Sequence, residues 1–94
     1  MDNLDEDKLG KLLLELYNAQ KQILFQEMMV EIFMKQTKLT EGQMITVLKA
    51  MLEHRWLVAD AVKEKMFLRP GFVLSFPVVI SSKGLDYLKS KGLV

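Results

Sequence analysis

The chain has 94 residues, of which 50% are hydrophobic, so it can form one domain over residues 1–94 with a core that needs no cross-links. It has no cysteine, which excludes disulfides, thiolate catalysis and cysteine-based zinc sites. Its 13 basic and 12 acidic side chains give a net charge of +1, far from the strongly basic balance of many dedicated nucleic-acid binders.

The first predicted helix extends from about Asp5 to Ala19. Its apolar residues recur at helical spacing: Leu9, Leu13, Leu16 and Tyr17. The acidic cluster Asp5-Glu6-Asp7 suits the positive end of a helix dipole. After a break at residues 20–22, the β-prone run Ile23-Leu24-Phe25 predicts a short strand.

Two further helices follow, linked by a short connector. Helical spacing returns from Gln26 to Thr37, with Met29, Ile32 and Phe33 on one face. Thr40 is the predicted N-cap of the third helix, with Gln43 at the capping-box position. This helix should end near His54 or Arg55, and it has one apolar stripe: Met44, Ile45, Leu48, Met51 and Leu52.

The C-terminal part of the chain is predicted to begin as a hairpin. Arg69-Pro70-Gly71 is a strong turn signal, and it separates two predicted antiparallel strands, at residues 57–68 and 72–80. A helix over residues 59–67 is the competing interpretation, because that stretch lacks clean alternation. Ser81 or Ser82 should cap a last helix, residues 83–90, that Gly92 ends. The predicted order is α-β-α-α-β-β-α.

Three segments carry a resemblance to a known family: residues 39–43 (Leu-Thr-Glu-Gly-Gln), residues 48–57, and residues 80–89, with the strand–cap–Lys-Gly–Tyr-Leu pattern. The chain resembles the winged helix-turn-helix superfamily, and is most similar to small YjcQ-type winged-helix proteins of bacteria and their phages. The resemblance implies an α+β fold with a small antiparallel sheet. It also implies DNA binding, as a transcriptional regulator or a phage-type accessory factor.

One departure from the superfamily concerns the end of the third helix. The superfamily usually has glycine where this chain has Arg55. Because a left-handed conformation is costly for a residue with a side chain, we expect this helix to end differently.

The resemblance implies that the third helix enters the major groove of double-stranded DNA while the wing contacts the DNA backbone. On the face opposite the apolar stripe, Gln43 and Thr46 are candidates for base contacts and Lys49 for a phosphate contact. Lys63, Lys65 and Arg69 of the wing would bind phosphates without reading sequence. The alternative interpretations are a solvated helix face and a hairpin whose charges prevent edge aggregation.

Some apolar residues lie off the predicted core stripes: Leu12, Leu14, Met28, Val30 and Met34. Apolar residues almost all round a helix suggest a second buried contact. We therefore predict a homodimer, with Leu12, Leu14 and Tyr87 at the interface. The alternative is a core thicker than a helical wheel allows.

Catalytic patterns are missing from the sequence. It has no Gly-rich phosphate loop, no nucleophile–base set and no metal-ligand spacing, so we expect neither an enzyme nor a cofactor or metal site. The near-neutral charge, with Glu53 on the proposed DNA-facing side, leaves a protein–protein interaction module without DNA binding as the alternative function. No apolar run approaches the roughly 20 residues of a membrane span, and the acidic start is unlike a signal peptide. We therefore expect a soluble, cytoplasmic protein.

Overall fold

The computed structural model describes residues 4–22, 25–58 and 60–94. These residues form five α-helices: α1 (Glu6–Gln20), α2 (Met29–Thr37), α3 (Glu41–Glu53), α4 (Ala61–Phe67) and α5 (Ser82–Ser90). Two single 3₁₀ turns, Gln26–Met28 and Val73–Ser75, complete the regular structure of these ranges. The three helices predicted before residue 55 and the helix at the C-terminus are confirmed.

Side-chain hydrogen bonds form at the starts of α1, α3 and α5, and those of α3 and α5 confirm the predicted caps. The Asp5 carboxylate accepts from the Lys8 N–H at 2.8 Å. Thr40 and Gln43 form a complete capping box, with the Gln43 side chain 3.0 Å from the Thr40 N–H and the Thr40 hydroxyl 3.2 Å from the Gln43 N–H. Of the two serines proposed as the last cap, Ser81 takes the role and accepts from the Gly84 N–H.

The core lies between α1, α2, α3 and α5, and the 3₁₀ turn at Val73–Ser75 closes one side of it. Met44, Leu48 and Met51 of the predicted α3 stripe are buried, while Ile45 and Leu52 are half-buried. Val47, which lies outside that predicted stripe, is also fully buried.

The core is also thicker than the helical wheel predicted. Val30 is fully buried, and Leu12, Leu14 and Met34 are half-buried and pack against the core. Met28 remains exposed. Most of the apolar residues that suggested a second interface are therefore explained by packing within one chain.

The predicted α+β fold with a small antiparallel sheet is wrong. In place of the first hairpin strand, α4 forms at Ala61–Phe67, which is the competing helical interpretation. The Asp60 carboxylate caps it by accepting from the Lys63 N–H at 2.8 Å. Alanine, lysine, glutamate and methionine are strong helix formers, so local propensity favours α4 over a strand.

The second predicted strand also fails to form a ladder. Residues 73–75 make a 3₁₀ turn, and Pro77 has no N–H to donate to a neighbouring strand. What remains in the described residues is one isolated antiparallel bridge between Leu57 and Ile80. It is flanked by hydrogen bonds from the Val58 N–H to Val79 and from the Ser81 N–H to Trp56, both 2.8 Å long.

The remaining predicted strand, Ile23-Leu24-Phe25, lies outside the described residues at its first two positions. Phe25, the described member, immediately precedes the 3₁₀ turn at Gln26–Met28 and is not in a strand.

The end of α3 corrects the expectation for Arg55. This residue is left-handed, with φ of 61°, in the position where glycine was expected. The Arg55 N–H donates to Leu52 and the Trp56 N–H donates to Met51, which is the Schellman pattern of helix termination. Trp56 is only 3% exposed, so its burial holds the chain in a conformation that a residue with a side chain otherwise avoids.

A final property of the helices concerns membranes. None of those in the described ranges is both long and apolar enough to cross one.

Candidate functional site: a groove between α3 and α4

The segment after α3 turns back and runs alongside it. At the start of α3, the Glu41 carboxylate accepts from the Gly71 N–H at 3.2 Å. Near the end of α3, Leu57 and the α4 residue Glu64 border the same depression as Lys49. The chain from α4 to Gly71 thus lies antiparallel to α3, and an open groove of about 610 Å³ separates them.

The groove has an apolar base and charged walls. Its apolar residues are Leu52, Leu57 and Leu68. Its charged residues are Lys49, Arg55 and Lys65 against Glu53 and Glu64, an excess of one positive charge. The apolar base positions the charged side chains at the rim, where the ends of lysine and arginine side chains remain in water.

The positive side chains of the groove are not neutralised by close ion pairs. Within the described part of the chain, the ion pair closer than 4.0 Å is that of Lys35 and Glu31 in α2, at 3.7 Å. Lys49, Arg55 and Lys65 therefore have no described carboxylate within salt-bridge distance. These side chains are exposed, so they can contact an anionic ligand.

The structure brings together two of the six residues predicted to bind DNA and separates a third from them. Lys49 of α3 and Lys65 of α4 line the same groove. Lys63 lies two residues before Lys65 and so points about 160° away around the helix. It lies beside Val62 and Met66 on the outer side of α4 instead of in the groove.

Arg69 lies in the turn after α4 and has local partners. Its guanidinium carbon is 4.4 Å from the centre of the Phe72 ring, and its Nε donates to the Met66 carbonyl at 3.3 Å. These contacts leave the terminal N–H groups of Arg69 for a ligand, but they hold the side chain outside the residues that line the groove.

The two predicted base-reading residues of α3 differ in which of their hydrogen-bonding groups remain free to contact a base. The Gln43 side-chain oxygen is engaged by the Thr40 N–H, so bidentate contact with adenine would break the capping box. Thr46 donates its hydroxyl hydrogen to the Gly42 carbonyl at 3.1 Å and keeps its acceptor lone pairs. Thr46, Lys49 and Glu53 are all exposed along one stripe of α3.

Arg55 is the groove residue that the sequence prediction of the site missed. Its position was noted only as a departure from the superfamily's glycine. The available signal was a positive charge where the superfamily has glycine, immediately after the helix that was predicted to face DNA. Arg55 is exposed in the structure.

Of the residues predicted at a dimer interface, Tyr87 has partners within its own chain. Its ring packs against Trp56, with centroids 4.3 Å apart, and it lies over Gly10 of α1. Burial raises the pKa of Tyr87, and the nearby Glu6 and Asp7 carboxylates raise this pKa further. Leu12 and Leu14 are half-buried against the core. Tyr87 therefore joins α5 to α1.

The single histidine has a packing role. His54 stacks on Trp56, with ring centroids 4.6 Å apart. In the described ranges, no three histidine, aspartate or glutamate side chains come together in a way that could hold a metal ion.

Comparison of the chain with protein-family models, with curated proteins and with solved structures gives no match.

Proposed function

We propose that this chain is a small double-stranded-DNA-binding protein that contacts DNA through the exposed stripe of α3 and the adjacent groove. The observation that carries the proposal is the convergence of Lys49 of α3, Arg55 of the turn that ends α3 and Lys65 of α4, without close ion pairs to described residues. Phosphate contacts dominate the affinity of proteins for DNA, and lysine and arginine supply them.

In this arrangement α3 provides the part that enters the major groove. Thr46 offers an acceptor to a base edge, and Glu53 offers a carboxylate to the amino group of cytosine. Gln43 stays in its capping box and contributes to the stability of the helix. The second contact with the DNA backbone comes from α4, through Lys65, and no wing hairpin is involved.

The salt dependence of binding tests this proposal. If Lys49, Arg55 and Lys65 each neutralise one phosphate, log affinity for a generic duplex falls against log salt with a slope of about −2.7. Lys65→Gln should reduce the magnitude of this slope by about 0.9. Lys63→Gln is the matched control, because Lys63 lies on the same helix but faces away from the groove. Fluorescence anisotropy of a labelled duplex measures both.

Chemical shifts of isotopically labelled protein locate the contact. Shifts on adding duplex should concentrate at residues 46–55 and at residues 64–68, and should weaken as salt rises. An absence of shifts at low salt would overturn the proposal. Equal slopes for the Lys63 and Lys65 variants would show that the groove is not where phosphates bind.

A second candidate function is a protein–protein interaction module that does not bind DNA. Large exposed apolar side chains favour it, and five of them lie between residues 58 and 74: Val58, Val62, Met66, Phe72 and Leu74. Apolar side chains concentrated in one exposed segment are typical of contact surfaces for other proteins. Charge reversal at Lys49 and Lys65 separates the two functions, because only DNA binding requires those charges.

A further inference from the structure

The outer side of α4 is an exposed apolar surface. Val62 is 66% exposed and Met66 is 50% exposed, and they lie one turn apart on one face of the helix. None of the residues of α4 is fully buried. A helix that exposes its apolar residues in this way is usually covered by another surface in the functional state.

The charges beside this face restrict what covers it. Lys63 lies on one side of Val62 and Met66, and Lys65 lies on the other. Two copies of α4 packed antiparallel would place each lysine close to its own copy, and such like charges repel. A surface that carries carboxylates suits these lysines better than a second copy of α4 does.

The chain itself has an exposed acidic segment at the start of α1. Asp5, Glu6 and Asp7 are all exposed, and only Asp5 is used in capping. Glu6 borders a shallow depression together with Glu53 and His54. Glu53 also borders the groove beside α4, so the acidic segment and α4 adjoin the same end of α3.

From this juxtaposition we propose that two copies of the chain associate about a twofold axis, with α4 of each copy on the acidic start of α1 of the other. Val62 and Met66 supply apolar contact, and Lys63 faces Glu6 and Asp7 of the second copy, while Lys65 stays at the groove. Such an interface is self-complementary, because each copy contributes both halves, and the contact closes at two copies. The proposal does not depend on DNA binding.

Complementary charge reversal provides the test. One variant carries Lys63→Glu, and the other carries Glu6→Lys with Asp7→Lys. Each variant alone places like charges at both contacts and should be a monomer. An equimolar mixture of the two should form a dimer with one copy of each, since both contacts are then between opposite charges.

Sedimentation velocity at high micromolar protein concentration measures these states, and circular dichroism checks that each variant is folded. Wild-type protein should be a dimer that weakens as salt rises, because exposed ion pairs are screened. Val62→Ser with Met66→Ser should also weaken the dimer while leaving the fold unchanged, since both side chains are exposed in the single chain.

Two results would overturn the proposal. The first is wild-type protein that stays monomeric throughout this concentration range. The second is a wild-type dimer that both charge-reversed variants still form on their own, which would place the interface elsewhere on the chain.

Discussion

Gly84 lies where α5 passes closest to the end of α3, and its replacement by alanine should destabilise the protein. A methyl group at Gly84 would lie 2.5 Å from the Trp56 carbonyl oxygen and 2.9 Å from the Ile80 Cγ2. Side-chain carbons essentially never approach so closely, so α5 must shift by about half an ångström or more. The same carbonyl accepts from the Ser81 N–H, so the shift also strains the bond that anchors the start of α5.

The expected change in the free energy of unfolding is the difference between two opposing effects of the alanine. Overpacking of a tight contact costs about 1–3 kcal/mol, and loss of one hydrogen bond costs about 1 kcal/mol. Alanine in a helix recovers about 0.5–1 kcal/mol relative to glycine. Gly84→Ala should therefore lower the free energy of unfolding by about 1–3 kcal/mol.

Gly42 supplies the matched control, since it lies in the first turn of α3 with no atom within 4 Å of an added methyl group. Gly42→Ala should raise the free energy of unfolding by about 0.5–1 kcal/mol. Urea unfolding, followed by circular dichroism and by the fluorescence of Trp56, measures both variants. If Gly84→Ala is as stable as Gly42→Ala, this result contradicts the close contact between Gly84 of α5 and the Trp56 carbonyl.

Three further predictions concern other contacts. Gly10→Ala should lower the free energy of unfolding by up to about 2.5 kcal/mol, because the collision of the added methyl group with the Tyr87 ring outweighs the gain in helix propensity; an unchanged urea midpoint would contradict this packing. Arg55→Gly should raise the free energy of unfolding by about 0.5–1 kcal/mol by relieving the left-handed conformation. Arg55→Val should lower it, and the reverse order in urea unfolding would exclude a left-handed residue 55. Because the folded-state pKa of Tyr87 is raised, the stability that this group contributes is present below its ordinary pKa of about 10 and is lost as pH rises through the folded-state value. Tyr87→Phe should therefore lose less stability across this alkaline range, and parallel pH curves for the two proteins would refute the shift.

Much of the helical structure could be predicted from the sequence, because the starts of α1, α3 and α5 have partners three residues apart. Asp5 with Lys8, Thr40 with Gln43 and Ser81 with Gly84 all make hydrogen bonds within one turn. Such bonds depend on residues that are close together in the sequence.

In the segment after α3, the turn signal favoured a hairpin, whereas the helix propensity of the residues before the turn favoured a helix. The Arg69-Pro70-Gly71 turn is present, with Gly71 at φ of 86°. A turn, however, does not determine whether the residues before it form a strand or a helix. Asp60 caps α4 and Pro77 has no N–H for a strand pairing, so among the described residues only Leu57 and Ile80 form a β-bridge.

The candidate site lay beyond sequence reasoning for a different reason. Periodicity placed Lys49 on the exposed face of α3, but the meeting of Lys49 with Lys65 depends on how two segments 16 residues apart turn back on each other. The same folding turns Lys63 away from the groove, although it is only two residues from Lys65 in the sequence.

The sequence by itself determined the starts of α1, α3 and α5, the turn at Pro70-Gly71 and most of the buried stripe of α3, because hydrogen bonds within one turn and helical periodicity are local properties. The tertiary structure alone decided the left-handed Arg55, the packing of Tyr87 over Gly10 and the groove between α3 and α4. Each of these depends on burial against a distant segment. Arg55 keeps its left-handed conformation because Trp56 is buried, and Tyr87 packs over Gly10 because α5 contacts α1.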